Sequence, residues 1–284
     1  MAIFTNQATL TYNNGVTNSN VVTGEIVEVL SAEKTAVLGT YTTGDTVTYV
    51  ISIVNSGTAP YTGLTVTDNL GEYPVGTGTA VPLEYIDGSL LYFVNGVLAA
   101  APAADAGAPL VISGVSVPAG GNALLIYKAR ITDAAPLNAE SSITNVAEIS
   151  GGGLSTPITV TETVTAGDSV ELTISKALSP ETVVENGQLT YTFVIRNAGN
   201  TPAVAADNLT VTDTFDPILD PITVQLDGVT LTEGVDYTYD TETGEFATVE
   251  GRITVPAATY SQDPVTGVWT VTPGVAVLRV IGTV

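Results

Sequence analysis

Residues 43–57 read Thr-Gly-Asp-Thr-Val-Thr-Tyr-Val-Ile-Ser-Ile-Val-Asn-Ser-Gly, and residues 185–199 read Glu-Asn-Gly-Gln-Leu-Thr-Tyr-Thr-Phe-Val-Ile-Arg-Asn-Ala-Gly. Self-similarity at this distance marks a duplicated structural unit. The match continues: Leu64-Thr-Val-Thr-Asp68 falls on Leu209-Thr-Val-Thr-Asp213, and the turn pair Asp87-Gly88 on Asp227-Gly228. Pro118 to Tyr127 then parallels Pro273 to Val280. Two homologous units therefore start near Glu25 and near Val170.

Composition gives their class. Thr and Val are abundant and favour strands, while 28 Gly and 15 Pro are spread as turn punctuation, so the chain reads as all-β. A length of 284 residues suits about two domains, each able to bury a core. Acidic residues number 29 against 7 basic ones, a formal charge of -22, which argues against nucleic acid and anionic membranes as partners. Without His or Cys there are no disulfides, no thiolate metal sites and no catalytic triad built on either residue, and an enzyme is not expected. Only 13% of residues are charged, so the surface is largely Thr, Ser and Asn, as in extracellular β-proteins on a cell or spore surface. The start, MAIFTNQATL, shows no signal peptide, and no stretch approaches the length of a membrane span.

The repeat is uneven. After Tyr127 the first unit runs on through Ser141-Ser-Ile-Thr-Asn-Val-Ala-Glu-Ile149, the pattern of a closing strand, whereas Val284 aligns with about Ile131. The missing kind of segment stands at the front: Phe4-Thr-Asn-Gln-Ala-Thr-Leu10 falls on Ile143-Thr-Asn-Val-Ala-Glu-Ile149. The expected organisation is a donor strand and junction (1–24), a first β-sandwich (25–150), a junction (151–169) and a second sandwich lacking its closing strand (170–284). A sandwich open in this way exposes an unpaired edge. Strand addition from a neighbour fills such an edge, and head-to-tail contacts that do not close make filaments. Ile3, Phe4, Asn6, Ala8, Leu10 and Tyr12 would be donated to another copy. Two other readings stay open: the strand folds back within its own chain, or the chain is cut out of register from a longer array.

Along a strand, parity assigns faces. Lys176 shares a face with Val170, Leu172, Ile174 and Leu178; Lys34 shares one with Leu30, Ala32, Ala36 and Leu38. Asp68 lies with Leu64 and Val66, and Asp213 with Leu209 and Val211. Asn145 lies with Ile143, Ala147 and Ile149, and Asn6 with Phe4, Ala8 and Leu10. A Lys, an Asp and an Asn aimed into one core suit isopeptide formation. A desolvated lysine loses its proton and becomes a nucleophile, and a protonated Asp can polarise the Asn carboxamide and shuttle protons as ammonia leaves. A satisfied polar cluster with no bond formed is the alternative.

The pattern Lys34…GDTVTYVISIVNSG…LTVTDNL…ITNVAEI resembles the "domain of unknown function 11" repeats of prokaryotic surface proteins. It is also similar to the isopeptide-forming sandwiches of pilins and adhesins. The resemblance spans nearly the whole chain in two copies. It implies tandem immunoglobulin-like β-sandwiches, a surface location and a structural role. Carried over, it implies a Lys34–Asn145 bond assisted by Asp68. The second unit keeps Lys176 and Asp213 but has no Asn of its own; Asn6 of another copy would supply it and make the joint covalent.

The expected function is a structural subunit of a self-assembling extracellular fibre, with copies of itself as partners; a surface adhesin or carbohydrate-binding module is the alternative. Tyr237, Tyr239, Tyr260 and Trp269 would be that module's platform, though strands often carry Tyr for packing. No cofactor is expected. Calcium is the one ion for which the acidic turns at Asp216, Asp220, Asp236, Asp240, Glu242 and Glu245 offer oxygen ligands, without EF-hand spacing.

Overall fold

The structure, a computed structural model, describes residues 2–284. It is all-β, and its buried side chains form two hydrophobic clusters, one drawn from Leu30 to Ala166 and the other from Leu189 to Val280.

In the first unit two sheets enclose the core. One runs Val97–Ala99, Leu91–Val94, Asn122–Ile131, Thr46–Asn55 and Leu30–Ala36, with Leu83–Tyr85 also paired to Asn122–Ile131. The other runs Ala103–Asp105, Leu110–Val117, Tyr61–Asp68, Ser142–Gly151, Ile158–Ala166 and Thr40–Tyr41. Alternation explains the layering: in Thr46–Asn55 the residues Val47, Tyr49, Ile51, Ile53 and Asn55 are buried and their neighbours are not. The Asn-x-Gly that ends this repeat is an Asx turn. Asn55 accepts from Gly57 N–H at 3.0 Å and donates to Ala59 O at 2.8 Å; Asn197 does the same with Gly199 at 3.0 Å and Thr201 at 2.8 Å. These two buried amides are why the motif occurs twice.

The closing strand Ser142–Gly151 lies between Tyr61–Asp68 and Ile158–Ala166, with Ala147 opposite Asp68 and Asn145 opposite Glu162. Its partner strand also seals the core, through Val160, Val164 and Ala166.

The second unit has one full sheet: Leu172–Ser179, Gln188–Asn197, Gly274–Thr283, Ile222–Leu226 and Val229–Thr230. Facing it, among the described residues, is a three-stranded sheet of Thr212–Thr214, Glu245–Thr248 and Tyr237–Tyr239. Among the described residues, no strand pairs with the free edge of Thr212–Thr214, where the first unit places Ser142–Gly151 and Ile158–Ala166.

Residues 2–26 form a hairpin of their own. Ala2–Asn6 pairs with Val22–Ile26, and Thr9–Tyr12 with Gly15–Asn18. Phe4, Asn6, Leu10 and Tyr12 are exposed, and no described strand of either unit pairs with the hairpin.

The second unit reaches back to the first. Where the first unit turns through Ala119-Gly120-Gly121, the second inserts the hairpin Thr259–Gln262 and Trp269–Thr272. Gln262 donates to the Tyr73 hydroxyl at 2.6 Å, Trp269 Nε1 to the same oxygen at 3.3 Å, and Trp269 N–H to Asp133 O at 2.9 Å. Gly76, with φ of +55°, lets Pro264 approach; a Cβ there would lie 2.3 Å from the Pro264 carbonyl oxygen. Asn200 completes the junction by donating to Leu137 O at 3.0 Å and Gly167 O at 2.9 Å.

Candidate cross-linking site

Lys34 stands on the edge strand Leu30–Ala36 of one sheet, opposite Ile51. Asp68 and Asn145 come from neighbouring strands of the other sheet, so the cluster bridges the two layers. All three are buried, and the side chains of Lys34 and Asp68 are 0% exposed. Lys34 Nζ lies 2.6 Å from Asp68 Oδ2 and 5.0 Å from the centre of the Tyr49 ring. Burial pulls the Lys34 ammonium below its usual range, against the opposing attraction of the Asp68 carboxylate. Desolvation thus biases this lysine towards the neutral amine.

The Asp68 carboxylate has three partners. Oδ1 accepts from Leu70 N–H at 2.9 Å, and Oδ2 accepts both from Lys34 and from the hydroxyl of Tyr127. Tyr127 sits opposite Tyr49 in the register and stacks on it at 5.6 Å. Burial and the Asp68 charge hold its hydroxyl well above the usual phenol range, so it stays a donor. Asn145 meets this group at its nitrogen: Nδ2 donates to the Tyr127 oxygen at 3.5 Å. Its Oδ1 accepts from Gly71 N–H at 3.2 Å, a donor shared with Asn69 Oδ1 at 3.0 Å. An N–H can only donate, so Gly71 fixes which end of the carboxamide is oxygen. Gly71 has φ of +73°, and a Cβ there would meet Ile143 Cγ2 at 2.5 Å. Only glycine brings this backbone so close to the closing strand. The Tyr49 hydroxyl lies beside the same carboxamide, buried without a well-formed hydrogen bond.

Parity reading finds Lys34, Asp68 and Asn145, which the structure brings into one buried cluster. It misses Tyr127 and Gly71, and it assigns the polarising contact to Asp68. In the structure the carboxamide oxygen faces Gly71 N–H, while Asp68 faces Lys34, Tyr127 and Leu70 N–H. One sequence signal for Tyr127 exists: it shares parity with the inward set Ala123, Leu125 and Ala129.

The second unit holds the same pair without its cover. Lys176 and Asp213 form an ion pair, but their side chains are 41% and 18% exposed. Lys176 Nζ lies over Tyr191, 4.4 Å from the ring centre, and 5.5 Å from those of Phe193 and Phe215. Opposite Tyr191, where the first unit has Tyr127 opposite Tyr49, stands Val280. Phe215 takes the place of Leu70 and stacks on Tyr191 at 4.9 Å. Among the described residues, Asp213 Oδ2 has no hydrogen-bond partner beyond the ion pair. All eight residues of Leu172–Ser179 are exposed, Ile174 at 57%. Between Leu172, Ile174 and the segment Leu209–Val211 runs a groove floored by Ile195 and Ile253. Asn6 lies away from it, in the N-terminal hairpin opposite Val22.

Several of the other candidates make contacts within the fold. Tyr237 is buried against Phe246, and Tyr239 bonds Leu219. Tyr260 donates to Ala198 O at 3.0 Å, and Trp269 anchors the inserted hairpin. Asp240 accepts from Glu242 N–H at 2.7 Å and Thr243 N–H at 3.3 Å within its own turn, contacts that hold its carboxyl below the usual range. Asp236 pairs with Arg252. Among the described residues no group of three or more acidic side chains is placed to hold a metal ion, and no helix is long and apolar enough to cross a membrane.

No protein-family model and no curated protein matches the chain. Solved structures similar to it include the pilus backbone protein RrgB of Streptococcus pneumoniae: 14% identity, TM-score 0.35, over 86% of this chain and 55% of that one. The chain thus spans about half the length of that pilin. The major pilin BcpA of Bacillus cereus matches at 12% identity and TM-score 0.36, over 95% of this chain and 73% of that one. A 35 kDa C-terminal fragment of the major pilin GBS80 of Streptococcus agalactiae matches at 14% and 0.35, over 88% and 80%. Superpositions this loose leave the chemistry of the chain to its own side chains.

Proposed function

We propose that this protein is a structural subunit of a surface fibre, polymerising head-to-tail as the N-terminal hairpin of one copy enters the open groove of another copy's second unit. The observation that carries the reading is the contrast between two equivalent strands. Leu30–Ala36 is covered by the closing hairpin 142–166, whereas Leu172–Ser179 is exposed throughout and its core opens on a groove. The donated element is a two-stranded hairpin, residues 2–26, more than the single strand Ile3–Tyr12 that the alignment suggests. Its topology repeats that of Ser142–Gly151 with Ile158–Ala166, and in the first unit both of those strands contribute to the core. Phe4, Ala8 and Leu10 then take the places of Ile143, Ala147 and Ile149. Fully burying a side chain such as Phe, Leu or Ile contributes about 1.5–3 kcal/mol. Backbone pairing along Thr212–Thr214 adds to that and fixes the register. The contact is apolar and backbone-driven, so a chain of charge -22 can form it while the finished fibre stays soluble.

Within each first unit, Lys34 and Asn145 form an isopeptide bond with Asp68 taking the lysine proton. Asn6, arriving with the donated hairpin, is placed by the alignment beside Lys176 and Asp213 and is the partner for a second bond across the joint. The fibre reading implies export and an extracellular surface location.

Negative-stain electron microscopy of the full-length protein beside a chain lacking residues 2–26 tests the assembly. Fibres from the first and none from the second are expected. Compact monomers from both would mean that the groove is filled in some other way and that the subunit does not self-assemble.

A further inference from the structure

We infer that Tyr127 is the proton relay of the first unit's cross-linking reaction, carrying a proton from Asp68 to the nitrogen that departs from Asn145. The inference rests on the isopeptide reading above and deepens it. The Tyr127 hydroxyl is bonded to Asp68 Oδ2, the same oxygen that lies 2.6 Å from Lys34 Nζ, and it accepts from Asn145 Nδ2 at 3.5 Å. Asp68 itself makes no hydrogen bond to the carboxamide. The line Lys34, Asp68, Tyr127, Asn145 nitrogen is therefore continuous, and it ends on the leaving group. On the carboxamide's other side, Gly71 N–H donates to Oδ1 and is positioned for the developing oxyanion.

The steps balance. Lys34 gives one ammonium proton to the Asp68 carboxylate, and the neutral amine attacks Cγ of Asn145, forming the new C–N bond while Gly71 N–H supports the negative oxygen. The old C–N bond then breaks as its nitrogen takes the Tyr127 hydroxyl proton, and Asp68 reprotonates the tyrosine. The new amide nitrogen sheds its extra proton to the Asp68 carboxylate, which leaves with ammonia as ammonium. No oxidant, water or cofactor is consumed.

The second unit sharpens the inference, because Val280 stands where Tyr127 does and, among the described residues, no hydroxyl is bonded to Asp213 Oδ2. The bond across the joint should therefore form more slowly than the bond within the first unit.

The test uses full-length chain recovered unfolded from inclusion bodies, diluted into native buffer and quenched at intervals, with intact-mass spectrometry reading the loss of one ammonia. Tyr127→Phe keeps the stacked ring and is expected to slow the loss about a hundredfold, in line with a positioned proton donor. Its rate should fall as pH rises, because the departing nitrogen must draw its proton from solvent, while the wild-type rate stays level over the same range. If wild type never loses ammonia, the isopeptide reading falls and the relay with it. Equal rates and equal pH profiles in both proteins would overturn the relay alone. Should Tyr127→Phe not fold, the wild-type rate in heavy water decides: a slower loss supports proton relay, and an unchanged one overturns it.

Discussion

The two units share a lysine, an acid and a tyrosine at matched positions, yet they treat the lysine in opposite ways. Lys34 is sealed from water; Lys176 is 41% exposed at its side chain. The strands that carry them alternate alike in sequence and pair alike with the next strand. What differs is the cover: residues 142–166 supply a hairpin in one unit, and none of the described residues supplies one beside the other. Burial of a charged group is thus set here by a strand far away in sequence, and with it the group's chemistry. A sealed lysine is pulled towards the neutral amine, whereas an exposed one in an ion pair stays solvated.

The largest effect expected within this comparison is at Asn145. An isopeptide from Lys34 to Asn145 closes a loop of roughly a hundred residues, so losing it in Asn145→Ala should cost about 4–5 kcal/mol by the loop-closure account. Chemical denaturation of the wild type and the variant reads it. Next comes Lys34→Ala in that unlinked background, which leaves the Asp68 carboxylate buried without its cation and should cost about 3–5 kcal/mol more.

The pH dependence separates the linked and unlinked states. In Asn145→Ala, Lys34 keeps a folded-state pKa below its unfolded value, so the unfolded chain binds the extra proton between the two. Stability should therefore rise with pH through that window towards the ordinary lysine value of 10.5. The proposed cross-link turns Lys34 into an amide, so the wild type should then lack this rise. Thermal melts of both proteins across alkaline pH, below the phenol range, read the difference. The smallest effect is at the second unit. Lys176→Met breaks a partly solvated pair and should shift the stability of the unassembled chain by less than about 1 kcal/mol. A shift as large as that at Lys34 would mean the two sites are alike after all.

Much of this contrast is legible in the residues. The repeated alternation around Tyr49 and Tyr191 yields the all-β fold, and parity places Lys34, Asp68 and Asn145 on inward faces. Parity also aims Lys176 inward, but alternation reports direction only, and its exposure depends on what lies across the groove. Gly71 carries no signal beyond that of any turn glycine; its role arises from the close approach of the closing strand. The insertion at 257–273 shows up when the repeats are aligned, yet its target, Tyr73 and Asp133, is set by how the two units dock. The likeness of residues 15–30 to residues 151–168 in β-branched residues marks a strand in each, but it reads as a junction between units, whereas Ile158–Ala166 pairs with the closing strand and seals the first core.

The most direct measurement mixes two disabled chains and weighs the product by analytical ultracentrifugation. One lacks residues 2–26 and keeps an open groove; the other keeps its hairpin and carries Ile174→Arg in the groove. Donation between copies predicts that each alone is monomeric and that the mixture forms a one-to-one complex that grows no further. Two monomers that ignore each other would contradict the account.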